Sequence, residues 1–272
     1  MPEGDTIARA AAALHQALAG HTVTRFVTAL AHLARIDDDT PLAGRTIESV
    51  TTRGKHLLMT FGGGLVLRTH MRMHGSWHLY QPGERWQRPR HAMRIVIETA
   101  TRVAVGFNVP DAEFLRADDL RRNRALGRVG PDLLAPDVDP AEVVARMLAQ
   151  ADQPLARALL DQRVAAGLGN VFRSELLFLA GVHPATLVSS LDAAQVAGVV
   201  DTAVRLLRDN ARPDAGQRVT TGRAARGEAL WVYNRTTLPC RRCGTAVVSA
   251  SDGLDARRVY WCPRCQPAVP VR

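Results

Sequence analysis

The sequence predicts an α+β protein built from several domains. The first half holds short apolar runs typical of strands, the middle holds longer stretches with helical spacing, and four cysteines cluster near the end. At 272 residues the chain is long enough for two or three small domains. We therefore predict a mostly β domain over residues 1–127, a helical domain over 128–220, and a basic loop with a cysteine module over 221–272.

The strand-rich part begins with a predicted helix. Residues 6–19 are rich in helix-forming residues, and one stripe of this segment is apolar: Ile7, Ala11, Leu14 and Leu18. We expect Asp5 or Thr6 to cap the start of this helix and Gly20 to end it. Four later runs have the length and alternation of strands: HLLMTF, LVLRTH, SWHLY and MRIVIET. The glycines at 62–64 predict a hairpin turn between the first two runs.

Helical patterns follow a boundary that is rich in proline. Residues 128–142 carry three prolines, which favours a linker there. Beyond it, apolar spacing of about 3.6 residues predicts helices over four segments: 140–150, 153–161, 171–180 and 192–210. Gly167 and Gly169 precede Asn170, a favourable N-cap residue, and the free amides of such a helix start can bind a phosphate. The same glycines could serve only the geometry of the turn, so both interpretations stay open.

The cysteines predict a structural zinc site. They form two Cys-x2-Cys pairs with the spacing of a four-thiolate zinc site: Cys240 with Cys243, and Cys262 with Cys265. The residues between the pairs have the pattern of a two-stranded hairpin. Two disulfides or a redox pair are the alternatives. We expect one zinc ion without catalytic function, because four thiolates leave no open position for water.

The charge of the chain indicates a polyanionic partner. The net charge is +9 and the pI is about 10.5, which favours nucleic acid first and an anionic membrane surface second. We find no apolar run of about 18 residues, so we expect no membrane span. The N-terminus MPEGDTIARA carries acids where a signal peptide needs bases, and we expect a cytoplasmic protein.

Two positions carry unusual chemistry. Lys55 is the only lysine among 35 lysines and arginines, and an ammonium can release a proton whereas a guanidinium in practice cannot. Pro2 would become a terminal secondary amine after removal of Met1, and such an amine can attack an aldehyde to give an iminium. Glu3 beside it offers a carboxyl for proton transfer. The competing interpretation for Lys55 is that a single lysine remains by chance. For Pro2 it is that the proline only provides a rigid start to the helix.

Five stretches taken in order resemble the formamidopyrimidine-DNA glycosylase and endonuclease VIII family: MPEGDT, RGKHLL, RVGPDLL, DQRVAAGLGNVFRSE and RVYWCPRCQ. The opening PEGDT is similar to the endonuclease VIII branch. The resemblance implies an N-terminal β-sandwich with a flanking helix, a helix–two-turn–helix domain and a C-terminal zinc-finger β-hairpin. It also implies that damaged double-stranded DNA binds between the domains.

The resemblance also implies residue roles. Pro2 corresponds to the Schiff-base nucleophile, Glu3 to the acid that protonates the sugar, and Lys55 to the lysine that binds phosphate and assists β-elimination. Asn170 and Arg257 correspond to a pair that grips phosphates, and Arg257 is associated with δ-elimination. The implied DNA-binding residues are Arg72, Met73, His74, Arg128, Asn170 and Arg257.

The segment THMRMHGSW lies where the family has its wedge loop, which fills the space left by a displaced nucleotide. We expect Met73 to be the inserted side chain, with Arg72 and His74 on either side. The endonuclease VIII branch more often has Gln-Leu-Tyr here, so the preferred opposite base is not indicated.

These expectations combine into a bifunctional DNA glycosylase and AP lyase, monomeric and acting at the nucleoid, that excises oxidised bases, pyrimidines above all, and cleaves by β,δ-elimination. One alternative is a glycosylase that prefers 8-oxoguanine or formamidopyrimidine. Another is a zinc-ribbon DNA-binding protein without catalytic activity, which would have no use for Pro2, Glu3 and Lys55 together.

Overall fold

The structure is a computed structural model, and it describes residues 2–120, 122–225, 227–251 and 257–268. The chain divides into two units after Arg128, and each unit has its own hydrophobic core. Among the helices of the described ranges, none combines the length and the apolar character needed to cross a bilayer.

The first unit is built mainly from strands. Its elements in chain order are α1 (Gly4–Leu18), β1 (Val23–Thr28), α2 (Ala31–Asp39), β2 (Ile47–Arg53), β3 (His56–Phe61), β4 (Leu65–His70), β5 (Ser76–Tyr80), β6 (Met93–Thr99), β7 (Val103–Phe107) and β8 (Asp111–Arg116). A short 3-10 turn, Arg90–Ala92, precedes β6. The strands form two antiparallel four-stranded sheets, ordered β1-β6-β7-β5 and β2-β3-β4-β8.

The two sheets bury a shared core. Ile95 and Ile97 from one sheet and Leu57 and Met59 from the other belong to the same buried cluster. The stripe predicted on α1 joins this cluster, since all four of its apolar residues are buried. The predicted β-sandwich with a flanking helix is therefore confirmed.

The predicted caps of α1 are wrong at the start of the helix. The helix begins at Gly4 with Glu3 as the N-cap residue, so Asp5 and Thr6 already lie in its first turn. Burial of Asp5 fits a position inside the packed helix rather than in the preceding loop. At the other end Gly20 has a φ of 82°, a left-handed conformation that favours glycine.

The four strands predicted from alternation coincide with β3, β4, β5 and β6, and the glycines at 62–64 form the turn between β3 and β4. The sequence analysis missed β1, β2, β7, β8 and α2. β1 and β2 mix apolar and polar residues without strict alternation. α2 buries only Leu33, so its apolar stripe is too narrow to stand out.

The second unit is mainly helical. Its elements are α3 (Pro140–Leu148), α4 (Leu155–Ala158), α5 (Asn170–Ala180), α6 (Ala193–Ala211), β9 (Val248–Ser251) and β10 (Arg258–Trp261). β9 and β10 form the antiparallel hairpin predicted from the residues between the two cysteine pairs. Asp139 and Asp192 cap α3 and α6 through their side chains. α4 is a single turn, shorter than the predicted 153–161, because Pro154 precedes it and a turn follows at Asp161.

The segment after Arg128 is tied to the turn ahead of α5. The amide of Gly130 donates to the carbonyl of Gln162 at 2.9 Å. A Cβ atom at Gly130 would lie 2.2 Å from the Arg163 carbonyl oxygen, so only glycine fits here. Close packing against Arg163 therefore explains the glycine of the RVG motif, Gly130.

Candidate active site

Pro2 and Glu3 stand at the start of α1. The carbonyl of Glu3 accepts from the amide of Ile7 at 3.0 Å, which makes it the first hydrogen bond of the helix. Glu3 is fully buried, whereas Pro2 is partly exposed. α1 packs against β2 and β3. The helix therefore holds an accessible imino acid directly beside a buried carboxyl.

Lys55 lies at the tip of the hairpin that joins β2 to β3. Arg53 and His56 close this hairpin as a pair, and the two residues between them form the turn. Gly54 takes the first turn position with a φ of 59°, where hairpins favour glycine. Lys55 is half-buried. The sequence Arg-Gly-Lys therefore places the single ammonium of the chain at a fixed tip.

His70 is the last residue of β4, directly before the wedge loop (residues 71–75), and it lies beside the β2–β3 hairpin. His56 pairs with His70 across β3 and β4, and their rings meet edge to face at 4.9 Å. Burial lowers the pKa of His70 to about 4, and the charges of Arg72 and Lys55 contribute to this shift. Burial, with the neighbouring His70 and Arg68, lowers the pKa of His56 to about 3. Both rings are thus neutral at pH 7, and the charges of Lys55 and Arg72 both act on His70.

The wedge loop, residues 71–75, connects β4 to β5. The amide of Gly75 donates to the Met71 carbonyl at 2.8 Å, and a Cβ atom at Gly75 would lie 2.4 Å from the same oxygen. Arg72 has a φ of 52°, an uncommon conformation outside glycine. Met73 is 53% exposed, and His74 is exposed beside it. The tight turn therefore presents an apolar side chain to solvent.

A buried ion network under the wedge loop was missed in the sequence analysis. Arg68 on β4 is buried and donates to Asp111 at 2.6 Å, to Glu113 at 2.5 Å and towards His56 Nδ1 at 2.9 Å. Asp111 also accepts from Arg72 at 2.9 Å. Its burial alone would raise the pKa of Asp111, but the hydrogen bond and charge of Arg68, with Arg72, outweigh burial and lower it. An arginine inside the apolar run LVLRTH was the available signal.

Asn170 and the finger hairpin meet in the second unit. Asn170 is the first residue of α5, and Gly169 is the N-cap, so the predicted cap role of Asn170 is wrong. Its side chain is instead nearly buried, and Nδ2 donates to the carbonyl of Arg258 at 2.9 Å. Its Oδ1 accepts from Arg173. The first turn of α5 is therefore joined to β10 through the side chain of Asn170.

Arg257 and Arg258 differ in what holds them. The guanidinium of Arg258 donates back across the hairpin to Ser249 Oγ at 2.7 Å. Arg257 directly precedes β10 and is half-buried. The side chain of Arg258 thus bonds to β9, and its carbonyl accepts from Asn170. Arg257 is the residue directly before it.

The four cysteines form a compact site for one metal ion. All are free thiols, and their sulfur atoms lie within 4.8 Å of one another. The Cys240–Cys265 and Cys243–Cys262 sulfur separations are 3.9 and 3.5 Å. Four thiolates about 2.3 Å from a zinc ion would be about 3.8 Å apart, so the site fits tetrahedral zinc. Two disulfides would need sulfur separations of about 2 Å, so this alternative is excluded.

Glu175 anchors residues 231–233, which follow the basic loop, to α5, and it was also missed. Its fully buried carboxylate accepts from three successive amides, those of Trp231, Val232 and Tyr233, at 2.7, 2.9 and 2.8 Å. The hydroxyl of Thr220 donates to the same carboxylate. An acid within the apolar helix VFRSELLFLA was the signal in the sequence, because buried carboxylates are rare without partners.

The predicted site residues fall into two groups, one in each unit. The first unit holds Pro2, Glu3, Lys55, Arg72, Met73 and His74. Arg128, which is exposed, is the last residue of that unit. The second unit holds Asn170, Arg257 and the four cysteines.

Comparison with known proteins identifies three matching family models. Residues 1–126 match the formamidopyrimidine-DNA glycosylase N-terminal domain, 129–221 the H2TH domain of the same glycosylase, and 238–268 the zinc finger found in FPG and IleRS. In structure, the chain is similar to a Lactococcus lactis formamidopyrimidine-DNA glycosylase bound to DNA with an AP site. The TM-score is 0.83 at 22% identity, covering 98% of this chain and 100% of that one.

Curated relatives match over nearly the whole chain. A probable endonuclease 8 2 of Streptomyces coelicolor is 46% identical, covering 100% of this chain and 96% of that protein. The DNA-(apurinic or apyrimidinic site) lyase Nei2 of Mycolicibacterium smegmatis is 41% identical, and endonuclease 8 of Escherichia coli is 34% identical, each covering 98% of this chain and 100% of the relative. The chain therefore belongs to the formamidopyrimidine-DNA glycosylase and endonuclease VIII family.

Proposed function

We propose that the protein is a bifunctional DNA glycosylase and AP lyase of base excision repair. It removes oxidised bases, pyrimidines above all, from damaged double-stranded DNA and then cleaves the strand by β,δ-elimination. The observation that carries this proposal is the Pro2–Glu3 pair held at the start of α1, in a chain whose relatives are named endonuclease 8 and AP lyase.

The reaction begins at the terminal nitrogen. The nitrogen lone pair of Pro2, freed by removal of Met1, attacks C1′ of the damaged nucleotide, and the glycosidic bond breaks as the base leaves with a proton. Glu3 protonates the ring oxygen of the sugar, the ring opens, and the C1′–nitrogen bond becomes an iminium. The iminium acidifies C2′, whose proton is lost as the 3′ phosphate leaves. A second elimination expels the 5′ phosphate, and hydrolysis of the iminium returns the amine.

Cationic side chains support these steps. Lys55, at the fixed hairpin tip, binds a phosphate next to the lesion and transfers a proton during β-elimination. Asn170 and Arg257 bind flanking phosphates, and Arg257 assists δ-elimination. The commitment of Arg258 to Ser249 supports the choice of Arg257. Arg128 contributes a further phosphate contact from the end of the first unit.

The wedge loop keeps the lesion out of the base stack. Met73 enters the space left by the displaced nucleotide, and Arg72 and His74 flank it. The exposure of Met73 and the constrained turn around Gly75 support this role, because an apolar side chain held in solvent gains by insertion between bases.

Zinc has a structural role in this proposal. Cys240, Cys243, Cys262 and Cys265 would hold one ion and fix the hairpin that carries Arg257. We further propose that the protein acts as a monomer, in the cytoplasm at the nucleoid, with the functional division 1–127, 128–220 and 221–272.

Borohydride trapping on abasic DNA tests the proposal. We expect a covalent adduct whose digestion places the DNA on a peptide that begins with Pro2. Protein that retains Met1 or is acetylated at the terminus should form no adduct, while Glu3→Gln should slow base removal by about 100-fold or more. Efficient nicking by the blocked protein would contradict the mechanism.

A panel of lesions tests the preferred base. Thymine glycol and dihydrouracil duplexes should be processed faster than 8-oxoguanine duplexes by the same preparation. A reversed order would assign the protein to the purine-preferring activity, and binding without any nicking would favour a DNA-binding protein that lacks catalysis.

A further inference from the structure

The segment between β5 and β6, residues 81–91 and here named the arginine loop, carries an unusual concentration of charge. Arg85, Arg88 and Arg90 are all exposed, and none of them forms an ion pair within the described ranges of the chain. The one acid of the loop, Glu84, accepts from the amide of Gln81 at 2.8 Å and so closes its own turn. Three guanidinium groups are therefore available to an anion.

The arginine loop is anchored on the sheet. Trp86 packs edge to face on Phe107 with ring centroids 5.6 Å apart, and the amide of Gln87 donates to the Tyr80 hydroxyl at 3.1 Å. The guanidinium of Arg90 lies 5.6 Å from the centre of the Trp86 ring. Trp86 thereby covers the outer apolar face of the β1-β6-β7-β5 sheet, where Phe107 is buried. Trp86 alone explains how the loop shields this apolar face from water, so packing does not account for the three arginines.

The loop is concave towards solvent. Its residues from Gly83 to Arg90 surround a cavity of about 540 Å³, which falls in the size range of ligand sites. The charge of Arg88 also reaches into the sheet: burial lowers the pKa of His78, and Arg88 adds to this shift. The cavity is thus positively charged and large enough for more than one hydrated anion.

The end of the arginine loop is close to the wedge loop. Ser76, the first residue after the wedge loop, and Met93, which follows the arginine loop, both pair with Phe107 on the strand between them. Neighbouring strands are about 4.8 Å apart, so the two residues are separated by about 10 Å. Asn108 contacts both sides: its amide donates to the Ala92 carbonyl at 2.7 Å, and its carbonyl oxygen would lie 2.9 Å from a Cβ atom at Gly75.

We propose that the arginine loop binds the phosphate backbone of duplex DNA on the same side as the wedge loop, beside the lesion. This inference rests on the proposed function. The contacts through Phe107 and Asn108 bring the end of the arginine loop beside the wedge loop. Guanidinium groups match phosphate geometry through paired N–H donors, and duplex DNA is the partner that the neighbouring wedge loop already requires.

The test compares two variants that remove the same charge. Arg85→Gln, Arg88→Gln and Arg90→Gln together form the loop variant. Arg25→Gln, Arg35→Gln and Arg102→Gln together form the control, because these arginines lie on β1, on α2 and at the β6–β7 turn. The exposed Arg25–Glu98 pair that the control loses contributes little to stability. Binding is measured across a salt series with an abasic analogue that cannot be cleaved.

Loss of three phosphate contacts should lower the slope of log affinity against log salt by about 2 to 3 and weaken binding at least tenfold in ~100 mM salt. The control should change the slope by less than about 1. Cleavage of abasic DNA at saturating concentration should be the same in all three proteins. A loop variant that matches the control in its slope overturns the inference, whereas absence of nicking in the unmodified protein would instead overturn the proposed function.

A lysine variant separates charge from structure. Arg85→Lys, Arg88→Lys and Arg90→Lys together should keep most of the salt dependence, because three positive charges remain. An equal loss in the lysine and glutamine variants would mean that the substitutions damage the loop itself, and the inference would fail.

Discussion

Lysine and arginine carry the same charge but differ as proton donors, and the role proposed for Lys55 depends on this difference. Guanidinium groups supply nearly all of the positive charge of this chain. At the tip between β2 and β3 the chain has an ammonium instead, next to the neutral pair His56 and His70. A compact cation beside uncharged rings can bind phosphate and still transfer a proton.

Replacement of Lys55 by arginine should therefore separate binding from chemistry. We expect Lys55→Arg to bind an uncleavable abasic duplex within about threefold of the unmodified protein and to cleave abasic DNA about 100-fold more slowly. Arg53→Lys, in the same hairpin, is the matched control and should leave cleavage unchanged. Equal rates for the Lys55→Arg and unmodified proteins would remove proton transfer from the role of Lys55.

Asp111 binds two arginines in different surroundings, and the two contacts should differ in energy. The side chain of Arg68 is 6% exposed, whereas that of Arg72 is 62% exposed. We expect Asp111→Asn to lower the free energy of unfolding by about 2–4 kcal/mol, since it leaves a buried guanidinium without one partner. Arg72→Gln should cost less than about 1 kcal/mol. Denaturant unfolding measures the loss of stability in both variants. Similar losses would contradict the inference that the buried contact with Arg68 is worth more than the exposed contact with Arg72.

The lowered pKa of Asp111 adds a pH dependence to the same comparison. A carboxyl with a lowered pKa in the folded state contributes stability above its unfolded pKa, and this contribution is lost as the pH falls. The stability difference between the unmodified protein and Asp111→Asn should therefore shrink below about pH 4.

At the scale of elements, α5 organises the second unit. Nearly all of its residues are buried, and its polar side chains bind neighbouring segments. Asn170 binds the backbone of β10, Ser174 Oγ accepts from the Tyr260 amide at 3.4 Å, and Glu175 binds the segment that follows the basic loop. One helix therefore fixes both the finger hairpin and the chain leading to it.

Neutralising Glu175 tests this organisation. Glu175→Gln replaces a carboxylate that accepts from three amides by a group whose NH2 end cannot accept, and we expect a loss of about 3 kcal/mol in unfolding free energy. Glu228→Gln, the same substitution at a half-buried acid of the same region, should cost less than about 0.5 kcal/mol. If Glu175→Gln left the free energy of unfolding unchanged, the three amides would have to find other acceptors.

The elements also show what could be predicted from the sequence. β3 to β6 were predicted with their observed ends, because apolar runs of strand length bounded by turn residues identify them. α2 buries a single leucine, so it lacks the broad apolar stripe that identifies a helix. β7, VAVGF, is an apolar run like β3 and β4 and could have been predicted in the same way. The contacts of Arg68 and Glu175 reach residues more than 40 positions away, and no local pattern specifies such partners.

At the scale of the whole molecule, the candidate residues are divided between the two units. The proposed chemistry belongs to the first unit, with Pro2, Glu3 and Lys55, while Asn170, Arg257 and the zinc site belong to the second. Four of the five family-like motifs each fall within one unit, while RVGPDLL begins at Arg128, the last residue of the first unit, and continues into the second. In the proposed reaction the zinc ion supports DNA binding by fixing the finger and takes no part in the chemical steps, whereas Arg257 on the finger assists δ-elimination.

Removal of zinc should test this separation. We expect a chelator to weaken binding to abasic duplex by at least about 100-fold, because four thiolates without the ion no longer fix the hairpin. Added zinc should restore binding. The melting behaviour of the first unit should be unaffected, since its core contains none of the cysteines. Full affinity in zinc-free protein would contradict the role of the finger.

The exposed side chain of Met73 has a consequence for the lifetime of the protein under oxidative stress. Thioethers open to solvent react with peroxides to give sulfoxides, which are polar and chiral. A sulfoxide at this tip would favour water over the gap between bases, and lesion capture would fail while the amine at the terminus stayed intact. The oxidants that damage DNA bases would therefore also inactivate the protein, and a sulfoxide reductase would be needed to restore the methionine.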